Sequence, residues 1–250
     1  MGVCSSKQNK EQELLDKLYP KHIQKYVLNN DYIDYKDTLD IHRNVIVLFC
    51  DICGFTKMSR NSNVEDVARF LHSIYIRIDH LLDRFPLLQK IETIGDCVMI
   101  VSGLYNKDES LTSEHYNSMY LFAIEMSTII KQMKYKNNDL NVRIGISKGP
   151  VASGIVGCKV PRFCLFGNTI NYASRLQTSS DIGQIHVSNE FKSGITIPNM
   201  VYDEHNKDMK GFDIIQTYYA SNISNLPAAV DDADINNSIS CTDILRTVDI

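Results

Sequence analysis

The sequence predicts an α+β fold in which helices cover one face of a sheet. Val45–Cys50 is a continuous apolar run of the kind that forms a buried strand, and an apolar stripe at helical spacing follows at Val67–Leu82. Two strand-like runs, Lys90–Ile94 and Cys97–Val101, flank Gly95-Asp96, which is typical of a hairpin turn. The order strand, helix, hairpin, helix, strand favours a sheet with its helices packed on one side.

Shorter patterns predict the remaining elements. Met119–Met133 repeats apolar residues at helical spacing, and a further helix starts near Asn168. Three short segments are predicted as strands: Asn141–Ser147, Phe163–Phe166 and Gly183–Val187. Val201–Asp203 and Phe212–Tyr219 close the domain. The glycine-rich stretch after Asn141 matches neither a P-loop nor a dinucleotide-binding fingerprint, and we interpret it as a strand followed by a turn.

The 250-residue chain divides into four parts. Residues 1–12 form a flexible N-terminus, and residues 13–42 form a helical lead-in whose apolar spacing is interrupted near Pro20. Residues 43–220 form one globular domain, which is a size that buries a core. Residues 221–250 are polar and poor in aromatic side chains, which is typical of a flexible tail.

Composition excludes several classes of protein. The net charge of -4 argues against nucleic-acid binding, which requires basic surface. The longest apolar runs are far shorter than the roughly 20 residues of a membrane-spanning helix. Seven cysteines without framework spacing indicate a reduced, intracellular setting. Cys50 and Cys53 form a C-x-x-C pair, but a zinc or redox site lacks a second pair with suitable spacing.

The N-terminus matches a lipidation pattern. Met1-Gly2-Val3-Cys4-Ser5-Ser6 predicts myristoylation of Gly2, and Cys4 is a natural palmitoyl acceptor. A second acyl chain matters because one myristoyl group anchors a protein to a membrane only marginally. We therefore expect the protein on a lipid surface at the cytoplasmic face of a membrane, or in the cytoplasm if it is not acylated. The alternative is a disordered end that starts with Met-Gly.

Two carboxylates follow buried strands. Asp51 leaves a strand into the turn that contains Gly54, and Asp96 lies at the hairpin tip. Either alone would be an ordinary turn aspartate, but a pair indicates a divalent-cation site, because magnesium is usually held by one or two carboxylates plus substrate phosphates. The backbone N–H groups of Gly54, Phe55 and Thr56 could then meet phosphate oxygens.

A second constellation lies on the helix that is predicted to start near Asn168. Asn171 and Arg175 are four residues apart and therefore share one helical face. Two donor-rich side chains on one face suit a developing phosphoryl charge. The alternative is a solvated helix surface.

Together these segments resemble the signatures of the class III nucleotidyl cyclases, in order and in spacing. The likeness runs from about Asn44 to Tyr219, through Val101–Leu104, Val142–Ile146 and Ile185–Ser188. It implies a ferredoxin-like antiparallel sheet with helices on one face, in a head-to-tail homodimer with active sites between the subunits. An idle regulatory subunit should lack one half of the catalytic set, and a membrane-anchored interaction module would not need both aspartates.

The resemblance assigns one group of residues to the first subunit. Asp51 and Asp96 hold two Mg²⁺ or Mn²⁺ ions, with the backbone carbonyl of Ile52 as a further ligand. Arg143 contacts the phosphates. The ribose 3′-hydroxyl then attacks the α-phosphorus, which yields the cyclic nucleotide and pyrophosphate.

The resemblance assigns a second group to the other subunit. Asn171 orients the ribose, and Arg175 stabilises charge on the α-phosphate. Lys210 pairs with the terminal phosphates, although the family often shows a second lysine where this chain has Phe212.

Two positions predict the base. An ionised Glu92 can accept hydrogen bonds from both guanine donors, and the Cys164 thiol can donate weakly toward O6. Family members that act on ATP resemble this pattern but carry lysine and aspartate at these two positions. The sequence therefore predicts a guanylate cyclase that acts on GTP, with adenylate cyclase as the alternative. A rim salt bridge for Glu92 and a small buried side chain for Cys164 are the purely structural alternatives.

Overall fold

The computed structural model describes residues 35–106, 110–209, 211–212 and 214–222, with scattered positions between 12 and 28. The predictions for Gly2, Cys4 and Lys210 lie outside the described residues, as does most of the predicted tail. After a short 3-10 helix at Tyr35–Asp37, the elements in chain order are β1 Asp40–Ile52, α1 Phe55–Ser59, α2 Val64–Leu82, β2 Leu88–Ile94, β3 Cys97–Ser102, α3 Ser113–Gln132, β4 Lys134–Tyr135, β5 Asn138–Asp139, β6 Val142–Val156, β7 Arg162–Phe166, α4 Asn168–Ser179, β8 Ile185–Ser188, α5 Asn189–Lys192, β9 Met200–Asp208 and β10 Ile214–Asn222.

Eight of these strands form one sheet in the order β2-β3-β1-β6-β8-β10-β9, and β7 pairs with the far half of β6. Each pair is antiparallel except β6 with β8, so the predicted antiparallel sheet is in fact mixed. A parallel pair needs a crossover connection, and β7 with α4 supplies it. The strands β4 and β5 form a separate small hairpin.

The central strand β1 is buried on both faces. Ile46, Leu48 and Cys50 belong to a core that contains α2 and α3, whereas Val47 and Phe49 belong to a second core that contains residues of α4. Burial on both faces explains why β1 is a continuous apolar run rather than an alternating one. The two long helices share one face as predicted, but α4 lies on the opposite face, so the helices are not confined to one side.

Strand β6 is longer than predicted. It runs from Val142 to Val156 without the turn that its glycines suggested. At Gly145 the reason is close approach: an added Cβ would lie 2.7 Å from Gln177 Cα in α4. The glycine therefore lets a helix backbone lie directly on the strand, which is the usual reason for glycine inside a strand.

Within the described part of the chain, no helix is both long enough and apolar enough to cross a membrane.

Candidate active site

Strand register brings the two predicted carboxylates together. Asp51, near the end of β1, lies opposite Cys97 of β3, and Asp96 directly precedes Cys97 in the hairpin. Burial raises the pKa of Asp96 to about 6, and the negative charge of Asp51 contributes further. The Cys97 thiol lies in the same electrostatic environment, because burial and both aspartates raise its pKa to about 12. Two carboxylates thus lie side by side at the same end of the sheet.

A cation already faces this pair. Arg143 lies opposite Asp51 on the other neighbouring strand, β6, and donates from Nη2 to Asp51 Oδ2 at 2.6 Å. On the α4 side, Gln177 Nε2 lies 3.4 Å from the same oxygen. The Asp51 side chain is only 18% exposed, so these two donors compensate most of its lost solvation.

The donor set fits a hard divalent cation. Asp51 and Asp96 carry carboxylate oxygens, and Ile52, whose backbone carbonyl is the predicted third ligand, is the last residue of β1. Among the described residues, three His, Cys, Asp or Glu side chains nowhere converge in metal-binding geometry. Magnesium does not require such a cluster, since one or two carboxylates with substrate phosphates hold it. A bound cation would also offset the burial and the repulsion from Asp51 that together raise the pKa of Asp96.

The turn after β1 presents backbone rather than side chains. Gly54 adopts a left-handed conformation with φ of 70°, and helix α1 begins at Phe55. The first amides of a helix have no acceptor within the helix. The Phe55 ring is buried, 5.9 Å from that of Phe70 and 5.5 Å from that of Tyr135. Phe55 can therefore offer a phosphate only its N–H, whereas the Thr56 side chain is exposed.

Helix α4 has two functional sides. Ala173, Leu176 and Gln177 are buried against the sheet. Helical periodicity places Asn171 and Arg175 on the opposite side, where Asn171 is exposed and Arg175 is half-buried. Because Gln177 is the residue that reaches Asp51, Asn171 and Arg175 point away from the carboxylates of their own chain.

The two predicted base-contacting residues lie on different strands, Glu92 on β2 and Cys164 on β7. Burial raises the pKa of the Cys164 thiol, and the negative charge of Glu92 raises it further, so the β7 and β2 side chains lie within electrostatic reach. Arg162 Nη1 lies 3.9 Å from Glu92 Oε1, at the outer limit for an ion pair. The Glu92 side chain is 42% exposed. Glu92 and Cys164 thus influence each other electrostatically, and Glu92 also has a weak ion pair with Arg162 at the rim.

The sequence reasoning missed Gln177. Its signal was a long polar side chain within the apolar stripe of α4, between Ala173 and the end of the helix. A buried polar group requires a partner, and Asp51 is that partner. Sequence spacing alone could not identify it, because the two residues are 126 positions apart.

Comparison with known proteins identifies the family to which this fold belongs. The sequence profile of the adenylate and guanylate cyclase catalytic domain matches residues 38–222, and the chain belongs to that family. Receptor-type guanylate cyclase Gyc76C of Drosophila melanogaster is 34% identical over 193 residues, which cover 76% of this chain and 12% of that protein. The chain therefore spans only a small part of the length of this curated relative.

Solved structures resemble the chain over the same region. The guanylate cyclase domain of RhGC from Catenaria anguillulae, in complex with GTP, has a TM-score of 0.67 and 30% identity and covers 73% of this chain and 98% of that one. The non-canonical dimeric guanylyl cyclase domain of the RhoGC fusion protein from Blastocladiella emersonii has a TM-score of 0.63 and 30% identity, and it covers 74% of this chain and 97% of that one.

Proposed function

We propose that the chain is a guanylate cyclase that converts GTP to 3′,5′-cyclic GMP and pyrophosphate at sites shared by two copies of itself. The observation that carries the proposal is the pair of adjacent carboxylates, Asp51 and Asp96, beside Arg143. A site of this charge suits a triphosphate with divalent cations. The GTP bound in the RhGC domain supports the choice of substrate.

Asp51, Asp96 and the Ile52 carbonyl would hold two Mg²⁺ or Mn²⁺ ions. When bound, the ions supply an activated 3′-hydroxyl and neutralise the departing pyrophosphate. Arg143 neutralises Asp51 in the structure, and cations at the carboxylates would free it to bind phosphate oxygens. The amides of Gly54 and the residues after it would bind the phosphates.

A second subunit would complete the site. Asn171 would orient the ribose and Arg175 would stabilise charge on the α-phosphate, mainly in the transition state. Lys210, outside the described residues, would pair with the terminal phosphates. The direction of Asn171 and Arg175, away from the carboxylates of their own chain, supports a head-to-tail dimer with two equivalent sites. The RhoGC domain forms a non-canonical dimer, which supports the pairing of two copies but not their head-to-tail arrangement.

Glu92 and Cys164 would select guanine. The carboxylate accepts from the two guanine donors, and the thiol donates toward O6. Adenine presents an acceptor at N1, so it would leave Glu92 facing a lone pair. Polar sites of this kind can discriminate by roughly 10⁴ or more.

Acylation at Gly2 and Cys4 would place residues 43–220, the proposed catalytic domain, at the cytoplasmic face of a membrane. Expression of the full chain and of its Gly2→Ala variant, followed by membrane fractionation, tests this location. Equal membrane fractions for the two would contradict it.

The function is tested with purified full-length protein, GTP or ATP, and Mn²⁺ or Mg²⁺, following the cyclic product. We expect cyclic GMP, and no turnover in Asp51→Asn, which keeps the size of the side chain but loses its charge. Asp203→Asn is the matched control, because Asp203 lies on the distant edge strand β9. Turnover in Asp51→Asn close to that of the unmodified chain would refute the assignment.

The shared site is tested by complementation. Asp51→Asn and Arg175→Ala should each be inactive alone, since each removes a residue from both sites of a symmetric dimer. In an equimolar mixture, half of the dimers are mixed and each mixed dimer keeps one intact site, so about a quarter of the full activity should return. A mixture as inactive as its components would show that the site is not shared.

A further inference from the structure

The tip of the hairpin that carries Asp96 lies at the edge of the sheet. Among the described residues, strand β2 is the edge of the sheet and pairs only with β3. Thr93, Ile94 and Gly95 are exposed, and the pairing contains an irregularity between Lys90 and Glu92. An edge hairpin with a bulge and an exposed tip is free to bend unless another element holds it.

A side chain of helix α2 reaches this tip from outside the hairpin. Tyr75 lies near the middle of α2, and its hydroxyl donates to the Gly95 carbonyl oxygen. The Cys97 carbonyl oxygen lies 3.4 Å from the same hydroxyl. A phenol has one proton, so the two carbonyls share a single donor. These are the carbonyls of the two residues that flank Asp96.

The tyrosine that makes this contact is anchored in the core. Tyr75 packs against the main core, next to Ile74 and Ile78, which are buried in α2. The ring therefore connects a fixed point of the core to the turn. Gly95 has a φ of 63°, as expected for the first central residue of a two-residue hairpin turn, and its peptide orientation determines the direction of Asp96.

We infer that Tyr75 is a positioning residue, which holds the Gly95–Cys97 turn so that the Asp96 carboxylate stays beside Asp51. The inference rests on the proposed function in one respect, namely that these carboxylates bind divalent cations. Tyr75 acts through the backbone on either side of Asp96, because its hydroxyl faces the Gly95 and Cys97 carbonyl oxygens. Supports of this kind typically change metal affinity by about 10–100-fold.

The test compares Tyr75→Phe with Tyr116→Phe. Both changes remove a hydroxyl from a half-buried tyrosine on a long helix and keep the ring, but Tyr116 lies on α3 beside Phe191. Mn²⁺ binding to each full-length protein, without nucleotide, is followed by the loss of the free Mn²⁺ resonance. Hydrogen exchange of the amides in the β2–β3 hairpin is measured in parallel, and thermal unfolding confirms that each variant is folded.

In Tyr75→Phe we expect Mn²⁺ affinity to fall by about 10-fold and the hairpin amides to exchange faster, with no such change in Tyr116→Phe. Where cyclic GMP is formed, the Mn²⁺ concentration for half-maximal rate should rise while the KM for GTP at saturating Mn²⁺ stays unchanged. Unchanged Mn²⁺ affinity and unchanged hairpin exchange in folded Tyr75→Phe would overturn the inference. If the unmodified chain makes no cyclic GMP but Tyr75→Phe still weakens Mn²⁺ binding, the proposed function fails and the positioning role stands.

Discussion

Replacement of Gly145 by alanine tests how closely α4 must lie against β6. The added Cβ would be 2.7 Å from Gln177 Cα and closer still to the Gln177 amide nitrogen and the Ala173 carbonyl oxygen. Ordinary contacts of this type begin at 3.4 Å, so the 2.7 Å separation must grow by about 0.7 Å or more. Both partners are helix backbone, which cannot rotate away as a side chain would. The whole helix must therefore move.

The cost has two parts. Overpacking of a filled core costs about 1–3 kcal/mol, which lowers the melting temperature by several degrees. The functional cost should be larger, because α4 carries Asn171 and Arg175, and a displacement of about 1 Å in a catalytic group can lower the rate roughly 100-fold. We therefore expect Gly145→Ala to remain folded but to lose about two orders of magnitude in kcat.

The assay measures cyclic GMP formation and thermal unfolding for Gly145→Ala and for Gly154→Ala. Gly154 lies on the same strand, and its added Cβ would approach nothing closer than the Thr38 carbonyl oxygen at 3.3 Å. That control should unfold near the normal temperature and keep most of its activity. Normal kcat and normal stability in Gly145→Ala would refute the reasoning, because the helix would then tolerate the extra atom.

Two further predictions concern base selection and pH. Glu92→Lys combined with Cys164→Asp should lower the ratio of kcat/KM for GTP over ATP by about 100-fold or more, measured with both nucleotides, and an unchanged ratio would contradict the base assignment. Burial lowers the pKa of His186 from 6.5 to about 4, and the nearby Lys207 and His205 lower it further through charge repulsion. Between these two pKa values the unfolded state binds more protons than the folded state. The contribution of neutral His186 to the free energy of unfolding is therefore fully present above pH 6.5, and about 3 kcal/mol of it should be lost as the pH falls toward 4. Urea unfolding at several pH values measures this loss, and a similar loss in His186→Gln would exclude His186 as its source.

The sequence predicted local features more reliably than long-range ones. The turn after β1, the hairpin at Gly95-Asp96 and the start of α4 near Asn168 are each encoded within a few residues, and all three are confirmed. The glycines of β6 were misinterpreted as a turn, because a glycine that admits a neighbouring helix looks the same in sequence as one that bends the chain. That distinction requires the position of α4, which only the folded structure supplies.

The sequence also does not predict on which face of the sheet α4 lies. An alternating strand reveals which face is buried, but β1 is apolar on both faces and gives no such information. The ion pair of Arg143 with Asp51 depends on strand register between segments 92 residues apart. Neither local propensity nor motif spacing encodes that register, although each residue was recognised separately as a site residue.

The two sides of α4 give the proposed dimer a particular property. The buried side touches Asp51 through Gln177, while the exposed side would carry Asn171 and Arg175 into the site of the partner. Each copy of α4 would therefore belong to both active sites at once. A single chain cannot complete its own site by a small movement, because the helix would have to turn its buried apolar side to solvent. Pairing of two chains should therefore cost less free energy than rearrangement within one chain as a way to assemble this site.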